Sequence, residues 1–420
     1  MSIAVYRREL GRLPFRVRFA ELESSSVPLV LRQAQDEDNK RSPRGELVEP
    51  RGRGGRSKPS GSQPNAPTPR TVVIVSVKGA GPELPRLFDA LMRQTYAPFR
   101  LCFVVETETD EAHGPLLRAH SQEPDRIQLI VAGLAMRGGQ KAHNLLAALD
   151  RLALDDEIVV FADVDIVPEP SWLERLVQPL VSGHAAAVSG YRWLVPDDQR
   201  LASAFASALN SSIATLPRLA RWNIAWGGST AVRRQTIADI DLRAWWRGAI
   251  STDVQFTRAI WAKPGRIVAP RDLLVRSPVA YDWPMMFNFA RRQYMQIRLH
   301  APRHWLGAFA VVAGLFAGWP LALFGVAQGS WPAVAALVSV IVCDQARALI
   351  RRDIVRHLWG ERGLAELRLP LLLDRFATPL CLGLHAAIIA SAAVGREIRW
   401  AGVRYRFDGP RDVVVLERDQ

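Results

Sequence analysis

The chain of 420 residues contains little cysteine. Its three cysteines, Cys102, Cys343 and Cys381, lie in apolar runs and form no Cys-x-x-Cys pair. So small and odd a number excludes a disulfide framework, and the apolar surroundings favour buried thiols over metal ligands. The sequence also lacks an apolar stretch followed by a small-residue cleavage site near its start, so no signal peptide is expected. The 13 Trp and 15 Phe exclude a wholly disordered chain.

Lysine is scarce as well. Only five of the 54 basic residues are lysines, and the 41 acidic residues leave a net charge of +13. A nucleic acid, a membrane surface or a phosphorylated ligand would each suit this charge. Because the arginines are dispersed and no nucleic-acid-binding motif is present, no nucleic-acid partner is expected. The mean hydropathy of +0.01 predicts a polar globular part joined to a membrane part.

The composition changes along the chain. Residues 1–70 are rich in Ser, Pro, Gly and Arg and lack periodicity, which predicts a disordered low-complexity segment. Apolar β-branched runs then alternate with helical stretches over 71–282, which predicts an α/β catalytic domain with a doubly wound, mostly parallel sheet. The predicted strands are Val72–Val77, Phe99–Val105, Arg126–Val131 and Glu157–Phe161, and the predicted helices are Glu83–Gln94, Gln140–Leu149 and Ser171–Val181.

The carboxyl-terminal third is apolar. No charged residue occurs over 305–343, and one membrane crossing needs about 20 apolar residues. The alternative interpretation is a pair of buried core helices. The predicted regions are an amphipathic membrane-surface helix over 283–305, membrane helices within 306–395 (crossings at 306–328 and 332–349 and a further uncharged stretch at 376–395), a basic loop over 347–368, and a tail over 396–420.

The orientation follows from the basic loop, which is expected in the cytoplasm by the positive-inside rule. This predicts a multi-pass protein of the inner (cytoplasmic) membrane whose catalytic domain faces the cytosol. Three full crossings would put the basic loop and the basic tail on opposite sides. Two crossings with a re-entrant or interfacial segment therefore remain an alternative.

An acidic pair follows the fourth predicted strand. Asp163 and Asp165 flank a single valine, and residues i and i+2 of an extended chain point the same way. Two carboxylates on one face can share a divalent cation, and Mg²⁺ or Mn²⁺ typically bridges phosphates. The alternative is a pair of turn or capping residues. We favour a metal and diphosphate site.

Three further segments carry candidate residues. Glu106 follows the second strand, where it could contact a nucleotide base or ribose or stay a solvated loop acid. The segment Gly138–Asn144, with Lys141 and Asn144, opens a helix whose N-terminus favours an anion. Trp226 precedes Gly227 and Gly228, and these glycines permit either a close ligand approach or a bend.

Two candidates remain nearer the membrane part. Asp253 starts a helix and is either a first-turn acid or a general base. The region 283–305 interleaves aromatics with arginines, as in a helix at a membrane surface, and arginine also suits a leaving diphosphate. A purely anchoring role for this region is the alternative.

Together these segments resemble the membrane-associated inverting glycosyltransferases with a GT-A fold, of the family 2 and ceramide glucosyltransferase type, over roughly Thr71–Phe407. The resemblance implies that Asp253 is the catalytic base, and it implies two ligand sets. The nucleotide-sugar set is Glu106, Lys141, Asn144, Asp163, Gly227 and Gly228, and the metal set is Asp163 and Asp165.

The resemblance is incomplete in its Gln/Arg-x-x-Arg-Trp motif. The nearest match is Met295-Gln296-Ile297-Arg298-Leu299, which keeps the arginine and loses the first position and the tryptophan. Arg298, Gln296 and Trp226 are therefore the candidates for acceptor and diphosphate contacts.

The function implied is transfer of a sugar from a nucleotide-diphospho-sugar, most often UDP-linked, to a membrane lipid hydroxyl with inversion, assisted by Mg²⁺ or Mn²⁺. A family 2 polysaccharide synthase and a non-catalytic transferase-like membrane scaffold are the alternatives. The short membrane region and the incomplete motif count against the synthase, and the presence of all three acids counts against the scaffold.

Overall fold

The computed structural model describes residues 68–216 and 223–418. The disorder expected for residues 1–70 lies almost entirely outside these residues. Within them, the chain forms the following strands: β1 (Thr71–Ser76), β2 (Phe99–Val105), β3 (Ile127–Val131), β4 (Ile158–Ala162), β5 (Ala187–Ser189), β6 (Tyr191–Pro196), β7 (Ser229–Arg233), β8 (Ile267–Val268), β9 (Leu274–Val279), β10 (Glu397–Trp400), β11 (Val403–Gly409) and β12 (Asp412–Arg418).

The helices lie between and after these strands. They are α1 (Glu83–Met92), α2 (His113–Gln122), α3 (Gln140–Leu149), α4 (Trp172–Val181), α5 (Leu201–Ala214), α6 (Arg234–Asp239), α7 (Leu242–Trp246), α8 (Thr252–Trp261), α9 (Trp283–His300), α10 (Pro302–Ala327), α11 (Trp331–Glu366), α12 (Arg368–Phe376) and α13 (Thr378–Ser391). A short 3₁₀ turn covers Arg271–Leu273.

The central sheet has seven strands in the order β3-β2-β1-β4-β7-β5-β8. Strands β1 to β4 run parallel, whereas β7 is antiparallel to both of its neighbours. A parallel pair of β6 and β9 lies beside this sheet, and β10, β11 and β12 form an antiparallel sheet. This mixed α/β architecture with a mostly parallel sheet and apolar helices after it confirms the predicted fold class.

Apolar side chains cover both faces of the central sheet. Val73 and Val75 of β1 face a core built from α1 and α4, whereas Val72 and Ile74 face a core built from α3, α7 and α8. This is why the first strand reads as a continuous apolar run, since a parallel strand is buried on both sides. The helices on the two faces leave the strand ends free for ligands.

Two helices are long and apolar enough to cross a membrane, namely α10 and α11. The predicted crossings at 306–328 and 332–349 coincide with α10 and the first half of α11. Helices α12 and α13 are apolar but bend by 93° at their junction, so they form either a broken third span or a re-entrant pair. These candidate spans suggest membrane association.

The basic loop predicted over 347–368 is wrong, because α11 continues through it to Glu366 with a kink at Gly360. Helical spacing explains the difference. Ala348, Arg351 and Val355 recur every three or four residues and are buried on one face. Arg351 forms a buried ion pair with Asp374 of α12. The basic residues that indicate a loop therefore include one that joins α11 to α12.

Candidate active site

Charged side chains gather where parallel strands end. Lys78 follows β1, Glu106 follows β2 and Asp163 follows β4, and the carboxyl ends of these parallel strands share one edge of the sheet. Helix α3 begins at the same edge, with Lys141 in its first turn. An ion pair joins Lys141 to Asp163. The edge therefore brings acids and cations from four distant segments together.

The acidic pair is held by two cations. The guanidinium of Arg192, on β6, lies 2.9 Å from Asp165 Oδ2 and 3.5 Å from Asp163 Oδ2. Burial tends to raise the pKa of Asp163, but Lys141 and Arg192 outweigh it and keep that pKa below its usual value. Burial raises the pKa of Asp165 above its usual value despite Arg192. The two carboxylates are thus electrostatically different.

Arg192 was not a candidate from the sequence. Its guanidinium lies 4.7 Å from the ring centroid of Trp226 and 5.7 Å from that of Phe289 on α9. Tyr191 packs edge-on against Trp226 at 5.6 Å. Trp226, a predicted site residue, therefore stacks on the arginine that holds the acidic pair. A charged residue inside an otherwise apolar strand is the signal that would have found Arg192.

Side chains of the site lie too close to the paired glycines for a β-carbon, and the Trp226 ring is nearest to Gly228. A β-carbon on Gly227 would lie 2.5 Å from Asp253 Oδ1, and one on Gly228 would lie 2.7 Å from Asp163 Oδ2. The backbone of Gly228 also accepts a hydrogen bond from the Asp163 amide at 3.3 Å. The turn at these glycines therefore lets Asp163 and Asp253 approach one wall of the site.

Asp253 is not the capping residue of α8. Ser251 takes that place, with its hydroxyl accepting from the Val254 amide. The Asp253 carboxylate instead accepts from Thr252 Oγ1 at 3.0 Å and from the backbone of Gly227. Burial, with the charge of Asp163, raises the pKa of Asp253 although Lys141 opposes the shift. A carboxylate with a raised pKa is a better proton acceptor than an ordinary one, as a general base requires.

Lys141 links the two acids of this wall. Burial acts to lower the pKa of Lys141, but Asp163 and Asp253 raise it above the usual value. The ammonium group therefore stays charged between the acidic pair and Asp253. A fixed cation in this position suits the negative charge of a departing diphosphate.

Glu106 lies at the site edge and is only 6% exposed. Lys78 forms an ion pair with one of its oxygens, and Arg418 of β12 lies 3.4 Å from the other.

Asn144 is placed differently from Glu106. It is buried behind Lys141, donates to Ser76 Oγ at 3.0 Å and accepts from Gln140 at 2.8 Å. Asn144 thus ties α3 to β1, and the structure does not show it facing the site.

Of the arginines on α9, Arg292 and not Arg298 acts on the acidic pair together with Arg192. The Arg298 guanidinium donates to the carbonyls of Ala393 and Gly395 just after α13. Among the described residues, Gln296 makes no contact with the acidic pair either. Arg292 packs over the Trp400 ring at 4.6 Å, and burial together with Arg192 lowers its pKa to about 10. Its charge acts on Asp163, whereas the acceptor or diphosphate role expected for Arg298 stays a prediction.

A divalent cation fits the acidic pair in one respect. Asp165 Oδ1 is buried and has no hydrogen-bond partner among the described residues. In residues 68–216 and 223–418, no third acid, histidine or cysteine joins the pair in a metal-binding group. A cation held here would take its remaining ligands from phosphates and water, as Mg²⁺ commonly does.

The fold and the site define an enzyme class. An acidic pair, nearby cations and a buried acid with a raised pKa lie at the carboxyl edge of a mostly parallel sheet, and apolar helices follow. This arrangement is that expected of a glycosyltransferase. The sequence model of glycosyl transferase family 21 matches residues 51–411, so the chain belongs to glycosyl transferase family 21. The predicted enzyme class and the ceramide glucosyltransferase type of the resemblance are confirmed.

Among solved structures, the mannosyltransferase PcManGT from Pyrobaculum calidifontis, in complex with GDP-Man and Mn²⁺, is similar to this chain. The two are 19% identical, the match covers 83% of this chain and 94% of that one, and the TM-score is 0.41. A search of curated protein sequences found no match.

Proposed function

We propose that the chain transfers a sugar from a nucleotide-diphospho-sugar to a hydroxyl group of a membrane lipid, with inversion at the anomeric carbon. One observation carries this proposal. The acidic pair, the cations Lys141 and Arg192, and Asp253 share one site. Helix α9, which leads into the membrane helices, borders that site through Phe289.

The donor diphosphate is assigned to the acidic pair and its cations. Asp163 and Asp165 would hold a divalent cation, which when bound neutralises charge on the departing diphosphate. Lys141, Arg192 and Arg292 are the protein's own positive groups around this position. As the bond from the anomeric carbon to the diphosphate oxygen breaks, their charges stabilise the negative charge that develops on that oxygen.

The acceptor is activated by Asp253. Its carboxylate takes the proton of the lipid hydroxyl, and the hydroxyl oxygen then forms the new bond to the anomeric carbon on the face opposite the leaving diphosphate. The hydrogen bonds from Thr252 and Gly227 fix the carboxylate for this proton transfer. The products are a glycolipid, a nucleoside diphosphate and a protonated Asp253.

The position of α9 supports a lipid acceptor. Its aromatic and basic side chains suit a membrane surface, and α10 continues directly from it into an apolar span. A hydroxyl at the level of the lipid headgroups would then reach the site without leaving the membrane. We extend the proposal to a multi-pass protein of the inner membrane with the site in the cytosol, where nucleotide sugars are made.

The test is lipid mass spectrometry of cells that express the chain. The unmodified chain should give a new glycolipid, and Asp253→Asn should give none while melting at the same temperature. Asp239→Asn, which changes an exposed acid on α6, is the matched control and should match the unmodified chain. Glycolipid formation by Asp253→Asn would refute the role of the base. A growing saccharide as the only product would refute the lipid acceptor.

A further inference from the structure

The antiparallel sheet of β10, β11 and β12, here called the closing sheet, lies against the start of α3, at the carboxyl edge of the central sheet. The Gly138 amide, just before α3, donates to the Val413 carbonyl at 2.8 Å. The Gln140 amide, which opens α3, donates to the Tyr405 hydroxyl at 3.2 Å. The helix that presents Lys141 is therefore anchored at its first residue by strands that follow the membrane helices in sequence.

Arg418, the last residue of β12, reaches into the same edge. Its Nη2 donates to the Ala135 carbonyl at 2.7 Å and to Gln140 Oε1 at 3.0 Å, and its Nη1 lies 3.4 Å from Glu106 Oε2. The side chain is only 21% exposed. A guanidinium has five N–H groups, so these contacts leave about two N–H groups for a ligand.

The place of Arg418 differs from that of the diphosphate residues. Glu106 follows β2 and Asp163 follows β4, with β1 between them. Neighbouring strands lie about 4.8 Å apart, so the two acids are separated by about 10 Å along the edge. This is about the distance from a diphosphate to its nucleoside. Arg418 is thus on the nucleoside side of the site.

We propose that the closing sheet completes the nucleoside half of the donor site, with Arg418 as a nucleotide-binding residue. Arg418 donates to an oxygen of the base or ribose, and Glu106 beside it accepts from a ligand N–H or hydroxyl. The inference rests on the proposed nucleotide-sugar donor. It assigns a ligand-binding role to a strand that the membrane helices separate from the catalytic domain in sequence.

The test measures nucleotide affinity by calorimetry on the purified full chain in detergent. The affinities of the unmodified chain for UMP and UDP and for GMP and GDP are measured first. The pair that it binds more tightly is then used to compare the variants. A hydrogen bond to a charged group contributes about a tenfold or larger effect. Arg418→Ala should weaken the monophosphate and the diphosphate by the same factor of about ten or more, and Arg418→Lys should recover part of the loss.

The matched control is Arg404→Ala on the neighbouring strand β11. Arg404 is exposed, and its ion pairs with described residues are those to Glu397 and Glu417 within the sheet, so its variant should bind as the unmodified chain does. Arg418→Ala binding within twofold of the unmodified chain, at an unchanged melting temperature, would overturn the proposal. So would a loss much larger for UDP than for UMP, which would place Arg418 on the diphosphate. If the unmodified chain bound no nucleotide, the proposed function itself would fail.

Discussion

Substitution of Gly227 by alanine tests the geometry of the base most directly. The added methyl group would lie 2.5 Å from Asp253 Oδ1, whereas ordinary contact begins near 3.4 Å. The carboxylate must therefore move by about 0.9 Å, the difference between these distances. Because the carboxylate is the far end of a side chain, it can rotate away without unfolding the domain. The hydrogen bond from the Gly227 backbone would be strained by the same movement.

A misplacement of about 1 Å at a reacting group costs roughly 10²-fold in rate, or about 2.7 kcal/mol of transition-state stabilisation. We therefore expect Gly227→Ala to lower the turnover number about 100-fold with little change in nucleotide affinity. The assay is transfer from labelled nucleotide sugar to a lipid extract, combined with calorimetry on UDP. Gly228→Ala should behave differently, because its methyl group meets Asp163 and Trp226 and so weakens nucleotide binding.

Gly114→Ala is the matched control, since it makes the same chemical change within α2 and meets only the flexible end of Arg118 at 3.7 Å. Its activity should be that of the unmodified chain, and its stability should rise by about 0.5–1 kcal/mol because glycine is unfavourable within a helix. A Gly227→Ala variant that is folded and fully active would refute the contact between Gly227 and the base, and with it the assigned role of Asp253.

Three further predictions concern the surrounding charges. Arg292→Ala should weaken UDP binding about tenfold in calorimetry, whereas Arg298→Ala should lower the melting temperature and leave that affinity unchanged; equal affinity losses would contradict the assignment. Burial lowers the pKa of His300 to about 4, so the folded chain binds fewer protons than the unfolded one between pH 4 and 6.5. This histidine should then cost the folded chain up to about 3 kcal/mol of stability as pH drops through this window, and thermal melts of His300→Gln should show a correspondingly smaller fall. Chelation should abolish transfer and Mn²⁺ restore it, with Asp165→Asn needing more Mn²⁺; full activity in chelator would contradict a cation at the acidic pair.

Much of the fold follows from local pattern. The four strands β1 to β4 begin and end within one residue of the predicted bounds, because apolar runs of β-branched residues between polar turns have no other stable location than a buried sheet. The antiparallel strand β7 was not predicted, since its direction depends on pairing with β4 and β5. The closing sheet was missed for the same reason, because its strands are stabilised by contacts with the distant loop before α3.

Some residues of the candidate site could be predicted from the sequence, and others could not. Asp163, Asp165 and Asp253 could be found because each follows a recognisable strand end or begins a helix. Arg192 and Arg418 could not, because their roles depend on which segments meet at the sheet edge. A sequence pattern locates residues within one element, whereas a site built from many elements can be found only from the way they pack together.

Helix α9 shows how spacing decides which arginine faces the site. Arg291 and Arg298 are seven residues apart, about two helical turns, so they lie on nearly the same face. Arg291 donates to the carbonyls of Ser391 and Val394, and Arg298 to those of Ala393 and Gly395. These four carbonyls lie at the end of α13, where cations are favourable.

Arg292 follows Arg291 by one residue and is turned by about 100° from it, away from that end. It therefore packs between α9 and the closing sheet, over Trp400, where its charge acts on Asp163. The motif match identifies an arginine by its neighbours in sequence, whereas the position of each arginine around the helix axis decides which one faces the site. One face of α9 thus packs against the end of α13 while another supplies charge to the site.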